Sequence, residues 1–369
     1  MISKDGKWQN LLEVNAECLI HPLFDKGGSM RGLLIKTCLA LALVGFNEVH
    51  TVSAIRNIGK DEWGGRLGDM LFGYVKARWL AHHYNLLFLY EPFNYSDQLA
   101  LHDNNLRYKE LKSRGFTEID VKDASMLGNI KSRDNMIYRV NYYFQLDHWG
   151  DYQKKYDSQE IMAWPEVYTD EQFLSELKKD IAPRDGRTIL LDLPTDKITV
   201  AVHMRMGGGF DHPLISHQFY DMNTLNSSER IPQGIFSDWY WPLKFPPLQY
   251  YATQLERLSD LYNNQPMYVY IYTDSQDPVS LMNVIERSVN RSNITFDCRK
   301  EINRHDMNVL EDIFAIAQYQ CLIRSGSNYP QISQLIGNHK IVIYPKSAVW
   351  VGKTLVINDV GTFTRGSLN

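Results

Sequence analysis

From residue 196 onward, hydrophobic and polar positions alternate in blocks. The run 198–202, ITVAV, is apolar and β-branched, as a buried strand requires. Segments 248–262, 278–289, 308–319 and 329–336 are predicted as helices, and the short apolar runs 267–272, 294–296, 321–323 and 340–344 as strands. Pro278 stands at the first turn of its helix, where its missing N–H is no loss. Strand, turn and helix repeated in this order predict a parallel sheet with helices on both faces. Ligands of such sheets sit beyond the C-terminal strand ends, so the turns after residues 203, 274 and 325 are where chemistry is expected.

The first half is less regular. Gly64-Gly65-Arg66-Leu67-Gly68-Asp69 precedes segment 70–84, whose apolar positions 71, 72, 75, 79 and 80 recur at helical spacing. Gly68-Asp69 is read as the cap, so this glycine loop feeds a helix N-terminus that offers N–H groups and a positive dipole end to an anion. Strands are predicted at 86–90 and 136–144, and helices at 97–111 and 170–181. The glycine spacing G-G-x-x-G is not the dinucleotide fingerprint, and no P-loop Lys-Ser/Thr follows it. Turn residues at 185–186 and 194–196 set a domain boundary between 195 and 196. The expectation is an α/β chain of two Rossmann-like domains, 55–195 and 196–369.

Composition narrows the class. At 369 residues, 44% hydrophobic and 22% charged, the chain suits one large or two ordinary packed domains. A net charge of −4 without a basic run argues against a nucleic-acid partner. Arg31 and Lys36, an apolar centre at 39–46 and Val52-Ser53-Ala54 have the order of a secretory signal peptide whose true start would be Met30. Residues 1–54 are therefore set apart as a leader, with cleavage near Ile55 and an exported or secretory-pathway destination; if the leader is not used, the location is cytoplasmic. The rival readings are a short membrane anchor and a buried helix, but the uncharged run is far below the roughly 20 residues of a span. No other segment could cross a bilayer. Without the leader, Cys298 and Cys321 remain and could form one disulfide. Sequons at Asn94, Asn226, Asn290 and Asn293 matter only in a eukaryotic secretory pathway. No C-x-x-C or His/Cys cluster suggests zinc.

The chemistry concentrates in 199–211, TVAVHMRMGGGFD. His203 and Arg205 are two apart and share a strand face. Gly207, Gly208 and Gly209 let a backbone come close to a ligand. Arg205 supplies a fork that can hold two phosphate oxygens. Ser325, Ser327 and Asn328 supply hydroxyl and backbone donors before a helix N-terminus, a second phosphate cradle. Asp274 can accept from a ring N–H or a ribose hydroxyl. No D-x-D occurs, so charge on a leaving diphosphate would fall to Arg205 and the helix end, with no metal or other cofactor. The long loop to residue 247 carries Trp239, Tyr240 and Trp241 and is a candidate wall for an acceptor sugar.

At these residues the chain resembles the GDP-fucose-dependent fucosyltransferases of GT-B type, the α1,2, α1,6 and protein-O-linked enzymes with their bacterial relatives. Their H-x-R-x-G-D is similar to His203-Met204-Arg205-Met206-Gly207-Gly208. Their G-x-x-G-N-Q-x-F-x-Y is similar to Gly65-Arg66-Leu67-Gly68-Asp69-Met70-Leu71-Phe72-Gly73-Tyr74. Their strand ending S/T-D-D resembles Thr273-Asp274-Ser275, and their D-L-x-x-M…S-S-F-S-W-W resembles Glu311-Asp312-Ile313 through Ser325-Gly326-Ser327-Asn328-Tyr329. The match runs in order over 64–90 and 198–345. It implies a GT-B-like pair of Rossmann-like domains whose parallel sheets face across a cleft. It also implies transfer of fucose from GDP-fucose to a glycan or glycoconjugate.

In that scheme Arg205 holds the diphosphate and aids its departure, His203 lies by the nucleotide, and the Ser325–Ser327 turn helps hold the phosphates. Gly65, Arg66, Gly68 and Asp69 would form the N-terminal loop. Asp69 replaces Asn, Met70 replaces Gln and Gly208 replaces the signature Asp, so Asp211 suggests itself as the base. The alternatives are a GT-B transferase using another nucleotide sugar and a non-catalytic glycan- or nucleotide-binding paralogue. A redox Rossmann enzyme is disfavoured by the missing fingerprint.

Overall fold

The computed structural model describes residues 53–59, 66–106, 108–109, 115–123, 136–145, 165–187, 189–206, 243–301, 303–304, 306–351 and 354–365. They belong to one compact unit, Thr51–Asn369. As expected, the fold is α/β with two mainly parallel sheets.

The first sheet is parallel throughout, in the order β2-β1-β4-β3, from β1 (Ala54–Asn57), β2 (Leu87–Leu89), β3 (Thr117–Asp123) and β4 (Met136–Gln145). Two of these strands, β1 and β3, were not anticipated. Ala54, read above as the small-residue exit of a leader, is the fully buried first residue of β1 and pairs with Leu87 and Ile137. The first βα unit therefore opens with β1, ahead of the glycine loop.

Helix α1 (Leu67–Tyr84) links β1 to β2. It begins two residues before the predicted cap: Arg66 is the extended N-cap residue, and Gly68 and Asp69 lie inside the first turn. The helix is buried around most of its circumference because β1 and β4 cover one side and the C-terminal half another. Asn85 ends it in the left-handed conformation, φ 52°. The single helix predicted over 97–111 does not form. A 3₁₀ turn (Ser96–Gln98) and a short α2 (Leu101–Asn104) take its place. Tertiary bonds break the helix: Ser96 Oγ is engaged by Tyr90 and Phe93, Ala100 N–H donates to Ala182 O, and Arg184 N–H donates to Gln98 O. Helix α3 (Glu171–Asp180) starts as predicted, with the Asp170 carboxylate accepting from Phe173 N–H at 2.8 Å.

The second sheet has the order β10-β9-β8-β5-β6-β7. Its strands are β5 (Ile198–Met204), β6 (Met267–Thr273), β7 (Ile294–Cys298), β8 (Cys321–Arg324), β9 (Ile341–Val351) and β10 (Thr354–Thr364). All pairs are parallel except β9 with β10. The run at 340–344 is thus not the last strand: β9 continues to Val351 and returns as β10. Helices α4 (Leu248–Leu261), α5 (Pro278–Ser288), α6 (Val309–Ile316) and α7 (Asn328–Ile336) connect the strands. Asp277 caps α5 through Ser280 N–H, and α6 ends at Ile316, short of the predicted 319.

The chain runs β5 to β6 to β7 in one direction, then returns to β8 on the other side of β5. The C-terminal ends of β5 and β8 therefore form a topological switch point, the crevice where open α/β sheets take their ligands. Along β5, Val200, Val202 and Met204 face one core, shared with Leu255, Leu281 and Ile285; Ala201 faces the other, with Tyr272, Leu322 and Val342. Strand alternation puts His203 on the Ala201 side.

A third core joins the halves: Leu67, Leu71 and Phe72 of α1 cluster with Leu310 and Ile313 of α6 and Ile332 and Leu335 of α7. A Cβ placed on Gly68 would lie 2.9 Å from Tyr329 N and Cα, so the first turns of α1 and α7 meet backbone to backbone. Cys298 and Cys321 are free and buried. Strands β5 and β6 stand between theirs, roughly 14 Å at about 4.8 Å per strand, which excludes the disulfide left open by the sequence. Among the described residues no helix is long and apolar enough to cross a membrane.

Candidate functional site

A cleft opens at the ends of β5 and β6. Arg66, Gly68 and Asp69 line one side. His203, Arg205, Thr273 and Asp274 line the strand-end floor, with Ser327 and Tyr329 from the start of α7 beside them. The structure thus gathers the three turns named from sequence.

Arg205 follows β5 directly. Its Nη1 is 3.0 Å from Asp274 Oδ2, and both side chains are only 10% exposed. Asp274 Oδ1 accepts from Met206 N–H at 2.6 Å. The carboxylate expected to meet a base or ribose is therefore engaged with the strand-end loop and the cation beside it. The guanidinium is planar, so the contact at one edge fixes the orientation of the whole fork.

His203 is buried, with Nδ1 3.3 Å from Ser325 Oγ and its ring 5.6 Å from that of Tyr329. Burial pushes the imidazole down to about 4 against the pull of Asp274, and Arg324 on neighbouring β8 acts in the same direction as burial. The ring is neutral near pH 7, so it offers hydrogen bonds and a flat face rather than charge. His339, outside the cleft, is likewise pushed down to about 4 by burial, with Nδ1 2.8 Å from Tyr319 O. For a ring whose folded value is depressed, the unfolded chain binds the extra protons. Its stability contribution is full above about 6.5 and is lost as pH falls through 4. Urea unfolding should therefore show stability dropping from pH 6 to 4.5 by about 1 kcal/mol per pH unit for each ring. His339→Gln should remove one such increment from the slope; an unchanged slope would mean that the ring is protonated in the fold.

The serine turn is divided in its work. Ser325 is fully buried behind the lining, and its hydroxyl serves His203 and, at 3.4 Å, Ser327 N–H. Gly326 N–H is not open to a phosphate, because it donates to Leu243 O at 2.6 Å. Ser327 is the N-cap of α7 with no side-chain capping bond, and it faces the cleft. Asn328 Nδ2 donates to Asp69 Oδ1 at 2.9 Å, which ties the start of α7 to the first turn of α1. Asp69 N–H is spent on Arg66 O. Gly65, Gly207 and Asp211 lie outside the described residues, as does the aromatic loop segment at 239–241.

Sequence reasoning named no role for Lys244, Arg304, Tyr272 or Asp312, which also line the cleft. Asp312 Oδ1 is 2.5 Å from Arg299 Nη2, and burial nevertheless pushes its carboxyl up to about 6. Lys244 and Arg304 lay outside every predicted element, Tyr272 closes the strand predicted at 267–272, and Asp312 falls in the stretch that resembles D-L-x-x-M. Among the described residues no group of three or more His, Cys, Asp or Glu could hold a metal.

No protein-family model matches the chain. No curated protein matches it. Solved structures overlap it partially. A crystal structure of POFUT1 in complex with GDP-fucose is 11% identical, covers 78% of this chain and 94% of its own, and gives a TM-score of 0.38. POFUT1 in complex with GDP is 10% identical over 78% of this chain and 95% of its own, with a TM-score of 0.36. The apo form is 10% identical over the same shares at 0.37. Overlap at these scores carries no weight for activity.

Proposed function

We propose that this chain is a glycosyltransferase of GT-B type that transfers fucose from GDP-fucose to a glycan or glycoconjugate without a metal. The observation that carries the reading is Arg205, braced by Asp274 at the switch point of a doubly wound sheet and facing Ser327 and the start of α1 across one cleft. A diphosphate fits there chemically: a rigid fork of N–H donors on one side, a helix N-terminus with an uncommitted cap hydroxyl on the other. Neutral His203 and the Tyr329 ring supply a flat, weakly polar surface for a nucleotide. The acceptor is assigned to the half spanning 55–195 and the loop that follows Arg205, and Asp211 is assigned as the base.

Leaving-group charge in this scheme is met by preorganised donors. Thermal-shift and calorimetric titration with nucleoside diphosphates and their sugars should show GDP and GDP-fucose stabilising the protein, as any ligand of the folded state does. Transfer to an acceptor found by screening should persist in excess EDTA. Absence of stabilisation by every nucleotide tested would remove the reading. Activity lost in EDTA and restored by Mn²⁺ or Mg²⁺ would remove its metal-free form.

A further inference from the structure

Among the cleft residues, Lys244 stands outside every motif that pointed to the site. It follows a segment with no resemblance to any motif and precedes Phe245-Pro246-Pro247 and α4. Yet its backbone is fixed more firmly than a loop residue requires. Leu243 O accepts Gly326 N–H at 2.6 Å, inside the serine turn itself. A Cβ on Gly326 would sit 2.9 Å from that oxygen, so only glycine admits the contact without a backbone shift. Leu243 and Phe245 on either side are buried, and Tyr250 Oη, at the start of α4, donates to Arg324 O at 3.1 Å. Lys244 is thus carried on a short segment clamped at two points to the end of β8, and it lines the cleft together with Arg205 and Ser327.

The balance of charge gives the position a purpose. Arg205 is already matched by Asp274, so the pair is close to neutral before any ligand arrives. Asp312 has Arg299 and Arg304 has Asp306, while Asp69 accepts a neutral amide hydrogen bond from Asn328 and keeps its negative charge in the cleft. A nucleoside diphosphate brings at least two negative charges into this partly enclosed space. Arg205 can orient it but does not supply the full countercharge while it remains bonded to Asp274. We propose that Lys244 is the second cation of the donor site, binding the diphosphate opposite Arg205 and taking up charge on the leaving group. This rests on the nucleotide-sugar reading above. An ammonium suits this role because it is a mobile point charge that can follow the phosphate, whereas the braced fork of Arg205 sets orientation.

The test is calorimetry of guanosine, GMP and GDP with wild type, Lys244→Met and Lys244→Arg, with folding checked by circular dichroism. Lys244→Met should weaken GDP by about 10- to 100-fold, the worth of one charge-assisted hydrogen bond. It should change guanosine little, and Lys244→Arg should recover most of the GDP affinity. That dependence on phosphate number separates direct contact from a merely structural role. Equal GDP affinity in wild type and folded Lys244→Met, or parallel weakening of guanosine and GDP, overturns the role of Lys244 while leaving the donor reading intact. If wild type binds none of these, and UDP and ADP likewise fail, the donor reading itself falls and the role of Lys244 with it.

Discussion

Replacing Arg205 with lysine is expected to lower kcat by on the order of 10²-fold or more, with a smaller change in donor affinity. Lysine keeps the charge but loses the planar two-point contact. In the fold, Nη1 is bonded to Asp274, which fixes the plane in which the remaining donors meet a ligand. Their grip tightens as the glycosidic oxygen departs and negative charge grows, so the loss belongs to the transition state. Arg205→Ala should additionally weaken GDP, because the phosphate loses a charged partner. Ser327→Ala should cost less, since a hydroxyl contributes one neutral hydrogen bond. Steady-state kinetics with GDP calorimetry on these variants checks the order. A folded Arg205→Ala enzyme with near-normal turnover and GDP affinity would move the active site away from the end of β5.

Asp274→Ala should destabilise the free protein by about 3 kcal/mol, the lower end of the cost of removing one partner of a buried ion pair. Both side chains of the pair are nearly buried, and the variant also takes the acceptor from Met206 N–H. The two losses fall on the same loop, so the strand end that presents Arg205 should loosen. A diphosphate ligand can restore the missing negative charge. GDP should therefore raise the melting temperature of Asp274→Ala by more than it raises that of wild type. Asp274→Asn, which keeps an oxygen for Met206 N–H, should fall between. Denaturant unfolding and thermal shift with and without GDP measure both effects. Wild-type stability in Asp274→Ala would show that the pair holds nothing together.

Much of this molecule was legible in its residues, for a local reason. Strands β5 to β8 and helices α4 to α7 are marked by period and by turn chemistry, both encoded within a dozen neighbouring positions. The strand-end turns carrying Arg205, Asp274 and Ser327 follow from the same code. The unanticipated strands share a different cause. In β1, Arg56 reads as polar, but it is buried because Glu118 and the Tyr108 ring meet it from far along the chain. In β10, Asn358 and Asp359 interrupt the apolar run and are answered across the hairpin by Ser347 and Lys346. The helix expected over 97–111 yielded to bonds from residues 182 and 184.

The functional arrangement divides in the same way. Residue types at strand ends announced an anion site, and the glycine loop ahead of α1 announced a helix N-terminus beside it. Which groups would be matched to one another depended on sheet order. Because β5 lies between β6 and β8, Asp274 reaches Arg205 from one side, while the serine turn reaches His203 from the other. Gly68, read as part of a cap, admits Tyr329, and Gly326 admits Leu243, so both glycines hold the walls of the cleft together. Sequence determines the period of each element and the chemistry at its ends. Strand order and helix packing decide which ends meet, because those choices are made by burial over the whole core and not by any one segment.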